Sequence, residues 1–198
     1  MNIKNELERL PGKIVNMQFS NADIQPEKIR AIMINEVVPA DPGQDFYGGG
    51  ITAYLETAIP LFQKAGADVH NIDDIVDLGV YITNAVKIPK SEYAVSREDI
   101  EKSLPFLEKE LSFFPNVKVI MLMGDVAKKA FNLISKKETG KNAIPAISTY
   151  KMRNSEFFYK GIRLMPSYIM TGQNILIEKS KFQMAAEDIG NMIQMIRQ

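Results

Sequence analysis

Three short runs of almost unbroken apolar character, KIRAIMI from Lys28 to Ile34, VYIT from Val80 to Thr83 and VKVIMLM from Val117 to Met123, limit the fold most strongly. Runs of this length with little polar alternation read as strands covered on both faces, and such strands need helices on either side of their sheet. The intervening segments supply them. A helix is expected from about Thr52 to Lys64. Ser96, with Asp99 at the third position, caps another, in which Ile100, Leu104, Leu107, Leu111 and Phe114 recur at helical spacing and Pro105 is a kink point. Gly124 and Asp125 open a helix running to about Lys136, and Phe182, Ala185, Ala186, Ile189, Met192, Ile193 and Ile196 give a closing amphipathic one. Ile3 to Leu10 is a short helix stopped by Pro11 and Gly12. Glu156–Tyr159 and Ile162–Met165 form a hairpin around Gly161 whose second limb enters the sheet. The alternation predicts an α/β fold, a three-layer α/β/α sandwich with a mostly parallel central sheet, formed by residues 1–198 as a single domain.

Composition narrows the function classes. The 198 residues are 45% hydrophobic, enough for a sizeable core, and carry a net charge of zero, so any contact with nucleic acid must rest on a local patch. Cysteine is absent, which excludes disulfides, thiolate-bound zinc, cysteine-ligated iron–sulfur clusters and cysteine nucleophiles. No apolar run approaches the roughly 20 residues that span a bilayer, and the amino terminus has acids where a signal peptide has its apolar core. A cytoplasmic monomer with no membrane contact, no metal and no cofactor is expected.

Ligands of parallel sheets bind outside the carboxyl ends of the strands, so the residues at those ends are the candidates. Asn84 ends the Val80–Thr83 run, and its amide offers donors and an acceptor suited to the edge of a nucleobase. Asn35 to Gly50, with Asp41, Asp45, Phe46 and Tyr47, is too long for an ordinary strand-to-helix link, which favours a functional loop. Pro166, Ser167 and Tyr168 form a turn at a third strand end. The turn at Gly124 could place an anion at the following helix start, although no phosphate-binding loop motif is present. Asp68, Asp73, Asp74 and Asp77 read as a solvated link, and His70, the only histidine, lies within it as ordinary surface chemistry. Between Val126 and Arg163, Lys128, Lys129, Lys136, Lys137, Lys141, Lys151, Arg153, Lys160 and Arg163 outnumber Glu138 and Glu156, an excess that suits either a phosphate backbone or a solvated face.

YITNAVKIPK, then PFLEKEL, then PNVKVIMLMGDVAKKAF, resembles the family 4 branch of the uracil-DNA glycosylase superfamily, with similarity in order and spacing from about Ile32 to Ile169. The resemblance implies that Asn84 is the base-reading Asn, that Asn35 and Glu36 stand at the Gly-Glu of a family motif, and that Phe46 or Tyr47 stacks on a flipped base. It implies that Met165, Pro166 and Ser167 match a His-Pro-Ser turn whose His is replaced, and that Val37 occupies a position that is acidic or amide in other branches. Family 4 enzymes hold a four-iron cluster through cysteines; here Ile88 stands where one would fall, so the resemblance implies no cluster in this chain.

Cleaving an N-glycosidic bond requires that the base leave the stack and be read on its pairing edge, that the leaving anion meet a donor, and that a carboxylate steady the sugar cation or orient water. Met165 cannot donate, which leaves the Ser167 hydroxyl or nearby backbone N–H groups, and the acid must be Glu36, Asp41 or Asp45. Two functions follow as expectations: hydrolysis of the N-glycosidic bond of a flipped uracil or related base in DNA, or a non-catalytic member of the fold that binds DNA, a nucleobase or a nucleotide.

Overall fold

A computed structural model describes residues 1–13 and 15–198. Five strands, β1 (Ala31–Val37), β2 (Val80–Val86), β3 (Val119–Met123), β4 (Phe157–Tyr159) and β5 (Ile162–Ser167), form one sheet in the order β2-β1-β3-β5-β4. Every neighbouring pair is parallel except β4 with β5, which is the expected antiparallel hairpin at one edge. The helices are α1 (Ile3–Glu8), α2 (Ala53–Lys64), α3 (Ile72–Asp77), α4 (Arg97–Leu111), α5 (Asp125–Thr139), α6 (Thr149–Met152), α7 (Asn174–Ile177) and α8 (Lys179–Arg197).

Period-2 alternation divides the strands between two cores. Ala31, Met33, Val80, Ile82, Val119 and Met121 pack on one face against α2, α3 and α8. Ile32, Ile34, Tyr81, Ile120, Leu122 and Leu164 pack on the other against α1, α4 and α5. The result is the three-layer α/β/α sandwich. Its buried strands explain why the sequence shows continuous apolar runs: each face of the sheet has its own helical cover.

Boundaries shift where polar residues continue a strand. β1 begins at Ala31 and extends through Asn35, Glu36 and Val37, and β2 continues past Asn84 to Val86, so the polar residues expected just beyond the strand ends lie within the ladder. The backbone of a strand needs only its neighbours' N–H and C=O groups, and Asn35 pairs in register with Asn84. The acidic link folds into α3, capped by the Asn71 side chain accepting from Asp74 N–H at 2.9 Å, with Asp73 and Asp74 in the favourable first turn. Ser96 caps α4 as its spacing predicts, and the helix runs through Pro105 to Leu111.

The order of strands creates a switch point. From β1 the chain crosses on the α2 face to β2, whereas from β3 it crosses on the α5 face toward β5, so the two connections diverge from neighbouring strand ends. A crevice opens between such ends, and it is where ligands of open parallel sheets bind.

Candidate functional site

Consecutive residues of a strand point to opposite faces, and this separates the expected site into two parts. Asn35 falls on the α2 and α8 face beside Asn84. Its Nδ2 donates to Asn84 Oδ1 at 2.8 Å, and its Oδ1 accepts from Thr171 Oγ1 at 3.2 Å. Asn84 Nδ2 in turn donates to Asp45 Oδ1 at 3.0 Å, which also accepts from Phe46 N–H at 2.9 Å. The chain of bonds joins two strands, the loop after β1 and the segment after β5. It is sealed: Asn35 is 0% and Asn84 1% exposed. Burial pushes the Asp45 carboxyl above its ordinary value, against the opposing effect of the Asn84 bond.

The two aromatic candidates lie in the same packed region. Phe46 is fully buried in the α2-side core, its ring 5.2 Å from that of Tyr54. The Tyr47 hydroxyl accepts from Ile82 N–H at 3.1 Å while its ring stacks on Tyr81 at 5.8 Å, and desolvation raises its phenol well above the usual range. Asn84, Asp45 and Phe46 therefore do meet, but they are packed against one another and line none of the open hollows at this edge.

Glu36 takes the opposite face and reaches the start of α5. Its Oε2 accepts from Val126 N–H at 2.7 Å, occupying a helix terminus whose cap residue, Gly124, has no side chain to offer. The anion that a turn such as the one at Gly124 can hold is here the protein's own carboxylate. Burial raises the Glu36 carboxyl, and the Val126 bond partly offsets this. Glu36 Oε1 has no hydrogen-bond donor among the described residues.

Above Glu36 lies a cleft of about 560 Å³ at the switch point, with Gly124 and Asp125 after β3, Tyr168 after β5, Tyr150 on α6 and Lys181 on α8 among its walls. Ser167 also lies along it, yet is fully buried; its Oγ donates to Asp188 Oδ2 at 2.7 Å, and Asp188 is held by Arg153 at 3.0 Å. Met165 and Pro166 are buried within β5. Asp41 is exposed and caps the turn Pro42–Gln44, accepting from Gly43 N–H at 2.9 Å. His70 is exposed beside Asp68 at 2.8 Å. Glu36, Ser167 and Tyr168 are accordingly brought to one cleft, while Asn84, Asp45, Phe46, Tyr47 and the exposed Asp41 do not line it.

The basic excess between Val126 and Arg163 is reduced by pairing. Lys137 meets Glu108, Lys160 meets Glu138, Arg163 meets Glu156, and Arg153 meets Glu187 and Asp188. Lys128 is buried and bonded to Asp125 and Thr149. Lys129 and Lys136 keep no acidic partner among the described residues, and both line a second hollow of about 370 Å³, with Arg97, that shares Asp125 and Ile147 with the first. Residues the sequence reading missed are Tyr150, Lys181 and Asp188. Only Asp188 left a signal, as an acid on the apolar stripe of α8.

Among the described residues no three histidine, aspartate or glutamate side chains come together as a metal site. The cysteine-held cluster of the family 4 resemblance has no ligands in this chain, and no step is derived through it.

Fold and cleft together define a doubly wound α/β/α protein with an acid-floored crevice at the switch point of its sheet. Among proteins of known kind, the Uracil DNA glycosylase superfamily matches residues 35–184, and the chain belongs to it. No curated protein matches the chain. No helix of the described residues is long and apolar enough to cross a membrane.

Proposed function

We propose that this uracil-DNA glycosylase-like protein, acting as a single domain, binds DNA and takes an unpaired base into the crevice between β1 and β3, without using Asn84 to read it. The observation that carries this reading is the location of the Glu36 carboxylate: it lines the cleft at the switch point together with Tyr150 and Tyr168, while the Asn84 amide has its oxygen and one N–H engaged inside the protein. The adjoining hollow with Lys129 and Lys136 supports a path for the phosphate backbone, which would leave the acidic crevice to the base.

A second reading, N-glycosidic hydrolysis, is favoured by the open Glu36 Oε1. A carboxylate there is suited to steady an oxocarbenium ion or orient water. Two features weigh against efficient uracil excision. Met165 offers no donor to the leaving base, and loss of such a donor costs about 10²- to 10³-fold. Reading uracil through Asn84 also requires its side chain, 1% exposed, to be uncovered. The nearer kinship to family 4 rests on the block around Asn84 and is part of the proposal.

The test measures binding of a mixed-sequence single strand carrying dU, with uracil release followed on the same samples. Binding that weakens in Lys129→Ala/Lys136→Ala, with no release, is the expected result. Release abolished by Glu36→Gln would instead assign the hydrolase reading, and absence of binding would refute both.

A further inference from the structure

Exposed apolar surface is gathered around the cleft. Half of the large hydrophobic side chains that are exposed among the described residues lie on the two segments that wall it, Ile147 and Tyr150 on one and Ile169, Leu176 and Ile177 on the other. Single apolar residues are scattered over any protein surface, but a group of them around a hollow marks an interaction site.

Ile147 stands where the cleft meets the lysine-lined hollow, and Tyr150 follows on the cleft side. Ile144 to Ile147 line the hollow, Ile147 to Tyr150 line the cleft, and Ile147 and Asp125 belong to both. The backbone of this segment is held in place. The Asn132 side chain accepts from Ile144 N–H and donates to the Ile144 carbonyl, both at 2.9 Å, Lys128 Nζ donates to Thr149 Oγ1, and Ile144 and Met152 are buried. On that fixed support Ile147 is 49% and Tyr150 66% exposed, and Tyr150 has no aromatic, cationic or hydrogen-bonding partner among the described residues.

Charge divides the two hollows and points to what covers this ridge. Glu36, Asp125 and Glu178 all line the cleft, whose lysine, Lys181, is paired with Glu178 at 2.7 Å, so a phosphate is repelled there. The neighbouring hollow has Lys129 and Lys136, seven residues apart on one face of α5. They are separated by about 10 Å along the helix axis, the length of about three phosphates of one stacked strand. A row of cations beside an exposed ring is the makeup of a site for single strands, in which base faces are free to stack on the ring. In a duplex those faces are covered by neighbouring bases, and only the edges can be reached.

We infer that the protein takes its DNA as a single strand and that Tyr150, with Ile147, is the platform on which the nucleotide next to the one in the crevice stacks. This rests on the reading of the crevice as the base site. The platform acts in binding and takes part in no covalent step.

Fluorescence anisotropy of a labelled mixed-sequence strand carrying dU, alone and annealed to its full complement, tests the inference on the full chain at fixed salt. Stacking of one base on one ring corresponds to about 5- to 150-fold in affinity, so the duplex is expected to bind at least about fivefold more weakly than the single strand. Tyr150→Ala is expected to weaken the single strand by at least about fivefold, and Tyr150→Phe, which keeps the ring, to stay within about twofold of the parent. The slope of log affinity against log salt is expected to be the same in Tyr150→Ala as in the parent, because no phosphate contact is lost. Duplex affinity equal to or above that of the single strand overturns the strand preference while leaving the crevice as the base site. Parental affinity in Tyr150→Ala, an equal loss in Tyr150→Phe, or a reduced salt slope overturns the platform. No binding of either form overturns the inference together with the function it rests on. The strand comparison uses the unaltered protein and decides the preference even if a variant does not fold.

Discussion

At Gly124 a φ of +106° and a neighbouring carboxylate leave no room for a side chain: a Cβ there would lie 2.8 Å from Glu36 Cδ and Oε2. Gly124→Ala is therefore expected to displace Glu36 from the α5 start and to cost about 1–3 kcal/mol, measured by urea unfolding. A variant as stable as the parent would show that the Glu36 cap is dispensable. Asp45 gives a prediction of opposite sign. Its carboxyl is raised by burial, so the folded state holds the proton more tightly than the unfolded chain, and stability falls as pH rises from the ordinary 3.8 through the raised folded value. Asparagine keeps the acceptor for Asn84 and Phe46 without the buried charge. Asp45→Asn should match or lag the parent near pH 4, gain on it as pH rises through the raised folded value, and hold that gain above it; a stability difference that does not change with pH would contradict this.

Within the elements, β2 and α4 are joined through a buried ion pair. Lys87 Nζ lies 2.5 Å from Glu110 Oε2, the side chains are 3% and 0% exposed, and the other Glu110 oxygen accepts from Tyr81 at 2.6 Å and Thr83 at 2.7 Å. Removing one member leaves the other charged and unsolvated. Lys87→Met is expected to cost about 3–5 kcal/mol, and adding Glu110→Gln, which still accepts from Tyr81 and Thr83, should restore much of the loss in denaturant unfolding. A double variant less stable than the single one would sink this account. The same parity that sends Tyr81 and Thr83 toward Glu110 sends Asn84 to the other face, and this is where sequence reading reached its limit. The apolar runs announced the strands, and the helical stripes announced their covers. The strand ends were not legible, because Asn35, Glu36 and Asn84 are polar residues whose backbones nevertheless continue the ladder. With β1 extended to Val37, Asn35 and Glu36 fall on opposite faces, so one expected pocket becomes a sealed network and an open cleft. Which lysines in the 126–163 region pair with acids was equally invisible, since Glu108, Glu187 and Asp188 lie outside that stretch.

For the molecule as a whole, a net charge of zero means that the proposed DNA affinity must come from a few cations placed together. If Lys129 and Lys136 each neutralise a phosphate, removing both should lower the slope of log affinity against log salt by about 1.4 for a single strand, at 0.7 per contact. An unchanged slope would place the backbone elsewhere. The central claim, that the base enters beside Glu36 while Asn84 stays sealed, is tested most directly by nuclear magnetic resonance of the ¹⁵N-labelled protein titrated with a single-stranded oligonucleotide containing dU. The account predicts shifts at the Gly124, Val126 and Tyr168 backbone amides, with the Asn35 and Asn84 side-chain amides unmoved and still slow to exchange their hydrogens. Movement or loss of protection at the Asn84 side chain, with the Gly124 and Val126 signals silent, would contradict it.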